Sequence, residues 1–172
     1  GIAVYDALLH FDIKSNQIIL KWPNDLLLNN KKVGGILLER INLNLLKEKP
    51  LVIGFGVNLF SCPSSDILEN GSIAVDSLRN NLSQAPDAEQ FLKILIPIFD
   101  KWHKLFIKHG FEYIREAFLE RTFPIGKKIK VNMGKKSVIG NFCGLNDDGS
   151  LLLDSLNGPI NVSAGDVFLV GK

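Results

Sequence analysis

Short apolar runs separated by polar turn residues fill the first third of the chain, a pattern typical of β-strands. The run at residues 18–22 predicts a strand, and the two runs within residues 26–41 predict a hairpin. Asn29 and Asn30 stand between those two runs and tolerate the positive φ that a tight turn requires. Residues 51–57 are apolar at successive positions, which predicts a central strand buried under helices.

Helical spacing of apolar residues occurs at the start of the chain and again in its middle. Residues 1–11 have the apolar spacing of an amphipathic helix already under way at the first residue. Asp87 with Gln90 forms a capping-box pattern that predicts the start of a long helix. The apolar stripe of that helix predicts a core-facing side and consists of Phe91, Leu92, Leu95, Phe99, Trp102, Leu105 and Phe106.

Two helix breakers divide this region. Pro97 lacks an N–H to donate, so we predict a kink or break near Ile96. Gly110 is the predicted end of the long helix, and residues 111–120 are predicted to form a second, short helix.

The pattern changes again at Phe123, where closely spaced short strands alternate with turns such as Asp148-Gly149. Several short strands in so few residues favour a small β-barrel. We therefore predict an α+β fold. A mixed β-sheet with flanking helices occupies residues 1–122, and a small C-terminal β-barrel domain occupies residues 123–172.

Composition narrows the class of protein. The 172 residues are 46% apolar, which is ordinary for a globular chain, and 20 basic against 18 acidic residues are too balanced to indicate DNA or RNA. No apolar run approaches the roughly 20 residues that span a bilayer, so no membrane segment is predicted. Cys62 and Cys143 are far apart and suggest neither a disulfide framework nor a zinc site, which favours the cytoplasm.

Candidate chemistry is concentrated between residues 21 and 58. Lys32 brings a flexible positive charge to the end of the hairpin. Asn24 and Asn58 offer amide groups, and Asp25 offers a carboxylate that can hold a lysine or a metal ion. Glycines remove side chains where a flat substrate can approach the backbone, and they stand at Gly34, Gly35, Gly54 and Gly56.

Three motifs in this region resemble the biotin protein ligases. They are Lys-Trp-Pro-Asn-Asp at residues 21–25, Lys-x-Gly-Gly-Ile-Leu-x-Glu at residues 32–39 and Gly-Phe-Gly-Val-Asn at residues 54–58. The resemblance extends to the C-terminal β-rich region. It implies ATP-dependent activation of biotin to biotinyl-5'-adenylate, followed by transfer of biotin to a lysine of a biotin carboxyl carrier domain.

The resemblance also assigns roles to residues. It implies that Lys32 contacts both the biotin carboxylate and the α-phosphate of ATP. Lys21, Asn24, Asp25 and Asn58 match positions that face the adenylate or its metal, with Mg²⁺ as the counter-ion of ATP. The positions that line the biotin ring are Gly35, Gly54 and Gly56.

Structural explanations of the same residues remain open at this stage. A lysine beside a turn is commonly just solvated, and Asn24 with Asp25 can form a local turn network. Tight strand packing would require the same glycines. The histidines show no spacing typical of metal ligands, and Gly54-Phe55-Gly56 lacks the third glycine and the strand-turn-helix context of a dinucleotide site.

One departure from the family concerns the region before Gly1. No Gly-Arg-Gly-Arg loop, which closes over the adenylate in this family, occurs in the sequence. We therefore expect a C-terminal piece of a longer or split protein, or the product of a decayed gene, with poor activity unless the upstream half is supplied. An upstream DNA-binding domain and a homodimer remain open.

Two other functions are retained as alternatives. A lipoate or octanoate transferase has a related fold but does not need the Lys-Trp-Pro-Asn-Asp element. A non-catalytic fragment that binds a protein partner through its C-terminal barrel is the second alternative. Competition between biotin and octanoate separates the first, and binding without adenylate formation identifies the second.

Overall fold

The structure, a computed structural model, describes residues 1–41, 50–64, 73–134 and 136–170. These residues form two helices and two β-sheets, which confirms the α+β class. The helices are α1 (Ile2–Leu8) and α2 (Ala88–Leu119). The strands are β1 (Ile18–Lys21), β2 (Asp25–Leu28), β3 (Lys31–Arg40), β4 (Leu51–Val57), β5 (Lys128–Met133), β6 (Lys136–Leu145), β7 (Leu151–Ser155), β8 (Gly158–Val162) and β9 (Asp166–Leu169).

The first sheet is an antiparallel meander in the order β1-β2-β3-β4. Asn29 and Asn30 adopt φ values of 50° and 64°, which confirms the predicted tight turn of the β2-β3 hairpin. The only parallel pairing within the described residues is the isolated bridge between Lys32 and Val75, so the mixed character of the sheet rests on that bridge.

Strand β4 differs from its predicted place in the sheet. Within the described residues it pairs only with β3, so it is an edge strand and not a central one. Leu51 and Val52 are 52% and 42% exposed, and Gly54 and Gly56 are also exposed. An apolar strand is buried on both faces only if other elements cover both of them. The glycines at alternate positions of β4 give one of its faces no side chain to pack against a neighbour.

Helix α2 begins as predicted. The Asp87 carboxylate accepts a hydrogen bond from the Gln90 N–H at 2.8 Å, and the Gln90 side chain accepts one from the Asp87 N–H at 2.9 Å. The predicted break near Ile96 is wrong, because the helix continues through Pro97. The only non-helical backbone inside α2 is at Gly110, with φ 75° and ψ −172°. Proline removes one hydrogen bond from the exposed side of a long helix, whereas Gly110 adopts a conformation that other residues disfavour.

The C-terminal strands form a second antiparallel sheet in the order β8-β7-β6-β5-β9. The predicted series of short strands after Phe123 is confirmed, and Gly149 of the predicted Asp148-Gly149 turn has a positive φ between β6 and β7. The outer strands β8 and β9 are not paired with each other within the described residues, so closure into a barrel stays a prediction.

Two hydrophobic cores hold the sheets together. The first lies between the helices and one face of the β1-β4 sheet, and the second fills the C-terminal sheet but also includes Trp22 and Leu27. The Trp22 indole donates a hydrogen bond to the Gly149 carbonyl at 2.9 Å, and the Thr122 hydroxyl donates one to the Leu20 carbonyl at 2.6 Å. The predicted domain boundary after residue 122 stays a prediction.

Neither helix in the described part of the chain is long and apolar enough to cross a bilayer.

Glycines 34 and 54 offer a matched test of packing in the first sheet. A Cβ at Gly34 would lie 2.7 Å from the Gly56 carbonyl oxygen, so the β3 and β4 backbones would have to separate, whereas a Cβ at Gly54 meets nothing closer than 3.7 Å. We expect Gly34→Ala to lower the free energy of unfolding by roughly 1–3 kcal/mol and Gly54→Ala to change it by less than about 0.5 kcal/mol. Urea unfolding measures both, and equal losses would contradict this account.

Candidate functional site

Strand register aligns four of the sequence-predicted residues in one row across the first sheet. Lys21 lies opposite Asp25, Asp25 opposite Gly35, and Gly35 opposite Gly56. Residues directly opposite each other in antiparallel strands project from the same face. This row therefore has charged groups in β1 and β2 and no side chains at Gly35 and Gly56, while the neighbouring position of β3 on the same face carries the exposed Leu37.

A register shift brings Lys32 to this face. Leu26 pairs with Gly34, but the next residue, Leu27, pairs with Lys32, so Val33 is an extra residue in β3. A bulge of this kind reverses which face a side chain points to. The Lys32 Nζ consequently lies 2.5 Å from Oδ1 of Asp25, and its Cε lies 3.7 Å from the place of a Cβ on Gly35.

Asp25 bridges two lysines. Its other oxygen, Oδ2, lies 2.8 Å from the Lys21 Nζ. The side chains of Lys21 and Asp25 are 3% and 10% exposed, whereas that of Lys32 is 40% exposed. A buried ammonium and a buried carboxylate need each other because both are removed from water. Two ammonium groups against one carboxylate leave one positive charge in excess, and only Lys32 presents it to solvent.

The glycine positions beside this cluster are open. A Cβ on Gly54 or Gly56 would meet its nearest atom at 3.7 or 3.6 Å, which is ordinary van der Waals contact. Close strand packing therefore does not require glycine at these two positions, unlike Gly34. Gly35, next to the Lys32 side chain, is opposite Gly56, so bare backbone lies on this side of the lysine.

Both asparagines use their amide groups to hold backbone in place. The Asn24 side chain donates to the Ile36 carbonyl at 2.7 Å, as in the turn network that the sequence left open. The Asn58 side chain donates to the Asp76 carbonyl at 2.9 Å, and its own N–H donates to the Val33 carbonyl. Asn24 thus lies beside the row of charged residues and glycines, while Asn58 fixes the end of β4 to a neighbouring loop.

That loop contains a polar cluster that sequence reasoning missed. The Asp76 carboxylate accepts hydrogen bonds from Lys31 at 3.2 Å, from the Asn80 side chain at 2.7 Å and from the Ser77 N–H at 2.9 Å. The Lys32 backbone pairs with the same loop, which lies alongside the hairpin. No spacing rule links Lys31 to Asp76, because the two residues are 45 positions apart in the sequence.

The remaining residues of interest are structural or exposed. Trp22 is buried in the second core, in agreement with a structural role, and the peptide bond to Pro23 is cis. His10, His103 and His109 are exposed. Within the described residues, no three His, Cys, Asp or Glu side chains are arranged to hold a metal ion.

The fold and site define a class of ligases. The family model described as the biotin/lipoate A/B protein ligase family matches residues 1–58, which include all three motifs and the cluster of Lys21, Asp25 and Lys32. The model described as the biotin protein ligase C terminal domain matches residues 125–170, which form the second sheet.

Individual relatives identify the family within that class. The chain is 35% identical over 171 residues to the biotin--[acetyl-CoA-carboxylase] ligase of Paracoccus denitrificans, covering 99% of this chain and 71% of the relative. It is 28% identical over 153 residues to the bifunctional ligase/repressor BirA of Bacillus subtilis, covering 89% of this chain and 46% of that protein. The chain belongs to the biotin protein ligase family.

Solved structures agree. The apo biotin protein ligase from Aquifex aeolicus superposes with a TM-score of 0.77 at 25% identity, covering all of this chain and 72% of that one. The same enzyme in complex with biotin and ATP gives a TM-score of 0.74 at 25% identity, with 69% of that chain covered.

Breaking the bridge at Asp25 should destabilise the fold. Asp25→Asn leaves the buried Lys21 ammonium without a carboxylate, so we expect the free energy of unfolding to fall by about 3 kcal/mol. The double variant Lys21→Met with Asp25→Asn removes both buried charges and should recover most of that loss. Urea unfolding of the two variants tests this, and an unchanged Asp25→Asn protein would show that the pair is not buried in solution.

The Asp76 cluster gives a pH prediction. Burial raises the pKa of the Asp76 carboxyl, but hydrogen bonds from Asn80, Ser77 and Lys31 outweigh it and lower the pKa from 3.8 to about 2. A folded-state pKa below the unfolded value stabilises the fold above about pH 4, and that contribution is lost as the pH falls toward the folded pKa.

Asp76→Asn should therefore cost on the order of 1–2 kcal/mol of stability at about pH 7 and much less near pH 2. Denaturant unfolding of both proteins across this range measures the difference. A gap between the two proteins that does not change with pH would contradict the proposed ionisation.

Proposed function

We propose that this chain supplies the lysine-bearing sheet and the C-terminal domain of a biotin--[acetyl-CoA-carboxylase] ligase. The reaction is ATP-dependent activation of biotin to biotinyl-5'-adenylate, followed by transfer of biotin to a lysine of a biotin carboxyl carrier domain. The observation that carries the proposal is the half-exposed Lys32 ammonium, which lies beside open glycine positions and is held on one side by Asp25.

The first step requires two anions to meet. A carboxylate oxygen of biotin attacks the α-phosphorus of ATP, a new O–P bond forms, and the bond to the pyrophosphate leaving group breaks. Negative charge spreads over the phosphoryl oxygens as this happens, and a fixed cation stabilises it more than it stabilises the separated reactants. Lys32 has the charge and the exposure for this role, and Asp25 restricts where its ammonium lies.

The second step uses the same surface. The neutral amine of the carrier lysine attacks the acyl carbon of biotinyl-adenylate, and an amide bond forms. The nitrogen gives up one proton to water, and AMP leaves with the electrons of the acyl-oxygen bond. Lys32 stabilises the negative charge on the departing phosphate by the same electrostatic argument. The proposed biotin-binding role of Gly35, Gly54 and Gly56 is supported by the place of Gly35 next to the Lys32 side chain and by the room for a side chain at Gly54 and Gly56.

Lys21, Asn24, Asp25 and Asn58 are proposed to serve the nucleotide side of the site. The Lys21 side chain is too buried to contact a nucleotide directly. The Asn24 and Asn58 side chains are bonded to backbone carbonyls and so hold the surrounding backbone in place. Asp25 and Asp76 already engage ammonium groups, so they do not form a cradle for a divalent ion. We propose that Mg²⁺ enters as the counter-ion of ATP, held chiefly by phosphates and water, as is usual for this ion.

A lipoate or octanoate transferase is the less supported alternative. The first family model covers both kinds of ligase, but the C-terminal domain model is described for biotin protein ligases. Competition by biotin but not by octanoate for the site is the expected outcome.

The proposed partners are a biotin carboxyl carrier domain and an N-terminal part of the enzyme; this chain covers 71% of the length of the Paracoccus relative. Cys62 and Cys143 are unpaired, which suits the cytoplasm that we propose as the site of action.

Lys32→Ala tests the proposed function, with Lys31→Ala as the matched control. Both lysines begin the same strand, but Lys31 is paired with Asp76 and not with Asp25. With biotin, ATP, a carrier domain and an upstream ligase segment supplied, we expect Lys32→Ala to lower carrier labelling by roughly 100-fold or more. Lys31→Ala should retain labelling within a few-fold of the wild type.

Mass spectrometry of the carrier domain measures the labelling, and unfolding experiments check that both variants fold. Undiminished labelling by folded Lys32→Ala would overturn the proposed role. Labelling that falls equally in both variants would indicate a general effect of charge on this hairpin.

A further inference from the structure

We propose that Lys21 is a positioning residue that preserves the positive charge of the site, and that it does not itself contact the ligand. The inference rests on the proposed function and revises the nucleotide contact that the sequence motif implied for this residue. Lys21 serves as a buried counter-ion of Asp25, and it acts on an anionic substrate only through Asp25 and Lys32.

Lys21 is much less accessible to solvent than Lys32. The Lys21 side chain is 3% exposed, against 40% for Lys32, and its ammonium is in contact with Oδ2 of Asp25. An ammonium held in this way is not available to a bound phosphate unless the buried pair breaks, which is strongly unfavourable. The two lysines of the cluster therefore have different tasks.

Strand pairing sets the position of Lys21 relative to Asp25. Lys21 and Asp25 are directly opposite each other in β1 and β2, so the sheet itself fixes the contact. With Oδ2 engaged by Lys21, the carboxylate presents Oδ1 to Lys32. Lys21 thus determines the orientation of the group that holds the reactive ammonium over the glycine positions.

Lys21 also determines the net charge of the cluster that it forms with Asp25 and Lys32. Asp25 and Lys32 alone would form a neutral pair, and an arriving carboxylate would have to compete with Asp25 for a single ammonium. Lys21 supplies the second positive charge, so the cluster remains positive by one unit while Lys32 stays held. The Lys21 ammonium is buried 2.8 Å from Asp25, so little water screens its effect on that carboxylate.

The inference is tested by comparing biotin with biotinamide, which has the same rings and side chain but no charge. Binding is measured by calorimetry on the full 172-residue chain, with an upstream ligase segment supplied. We expect Lys21→Met to weaken biotin binding roughly 10-fold or more and to change biotinamide binding by less than about twofold. A merely structural role for Lys21 would weaken both ligands equally, and that result would overturn the inference.

Two further variants test the charge count. Lys21→Met with Asp25→Asn restores an excess of one positive charge, so the preference for biotin over biotinamide should return to within about threefold of the wild type. Lys21→Arg keeps the charge and should retain the preference. If Lys21→Met does not fold, Lys21→Gln replaces it, and a preference retained by that uncharged variant would overturn the inference.

Lys32→Ala separates this inference from the proposed function. Loss of the biotin preference in Lys32→Ala but not in Lys21→Met would leave the proposed function intact and overturn only the role of Lys21. A preference for biotin that Lys32→Ala does not diminish would instead overturn the proposed function, and the role of Lys21 with it.

Discussion

The carboxylate of Asp25 is the group on which the site depends, because it is the single anion between two lysines. It is held in place by β-strand register, with Lys21 opposite it in one neighbouring strand and Gly35 opposite it in the other. Lys21 is buried and Lys32 is half exposed, so the same carboxylate joins a structural charge to one that can meet a ligand. Stability and proposed chemistry therefore depend on the same few atoms.

The glycines around this carboxylate differ in purpose although they look alike in the sequence. Gly34 lies against the β4 backbone and cannot accept a side chain without moving it. Gly54 and Gly56 have room for one, so their lack of a side chain does not serve packing. The simplest physical account is that Gly34 lets the strands approach and that Gly54 and Gly56 leave a surface open for a ligand.

The C-terminal sheet is connected to the candidate site through the Lys-Trp-Pro-Asn-Asp motif at residues 21–25. Trp22, next to Lys21, is buried in the second core and donates to the backbone of the β6-β7 turn. The residues just before that sheet also bond to the backbone of Leu20. Strand β1 is consequently held by both halves of the molecule, and the position of Lys21 reflects packing on both sides of it.

The sequence by itself determined the element types, the hairpin turn, the capping box and the family, because each depends on local spacing or on a motif that a short stretch contains. It also predicted the strands that carry Lys21, Lys32 and the glycines. Gly110 interrupts α2 where the sequence predicted the end of the long helix. Only the tertiary structure decided that β4 is an edge strand, that α2 continues through Pro97, and that Lys21 is buried while Lys32 is not. Burial, a bulge that reverses one side chain and a contact such as Lys31 with Asp76 depend on residues distant along the chain, and no local pattern specifies them.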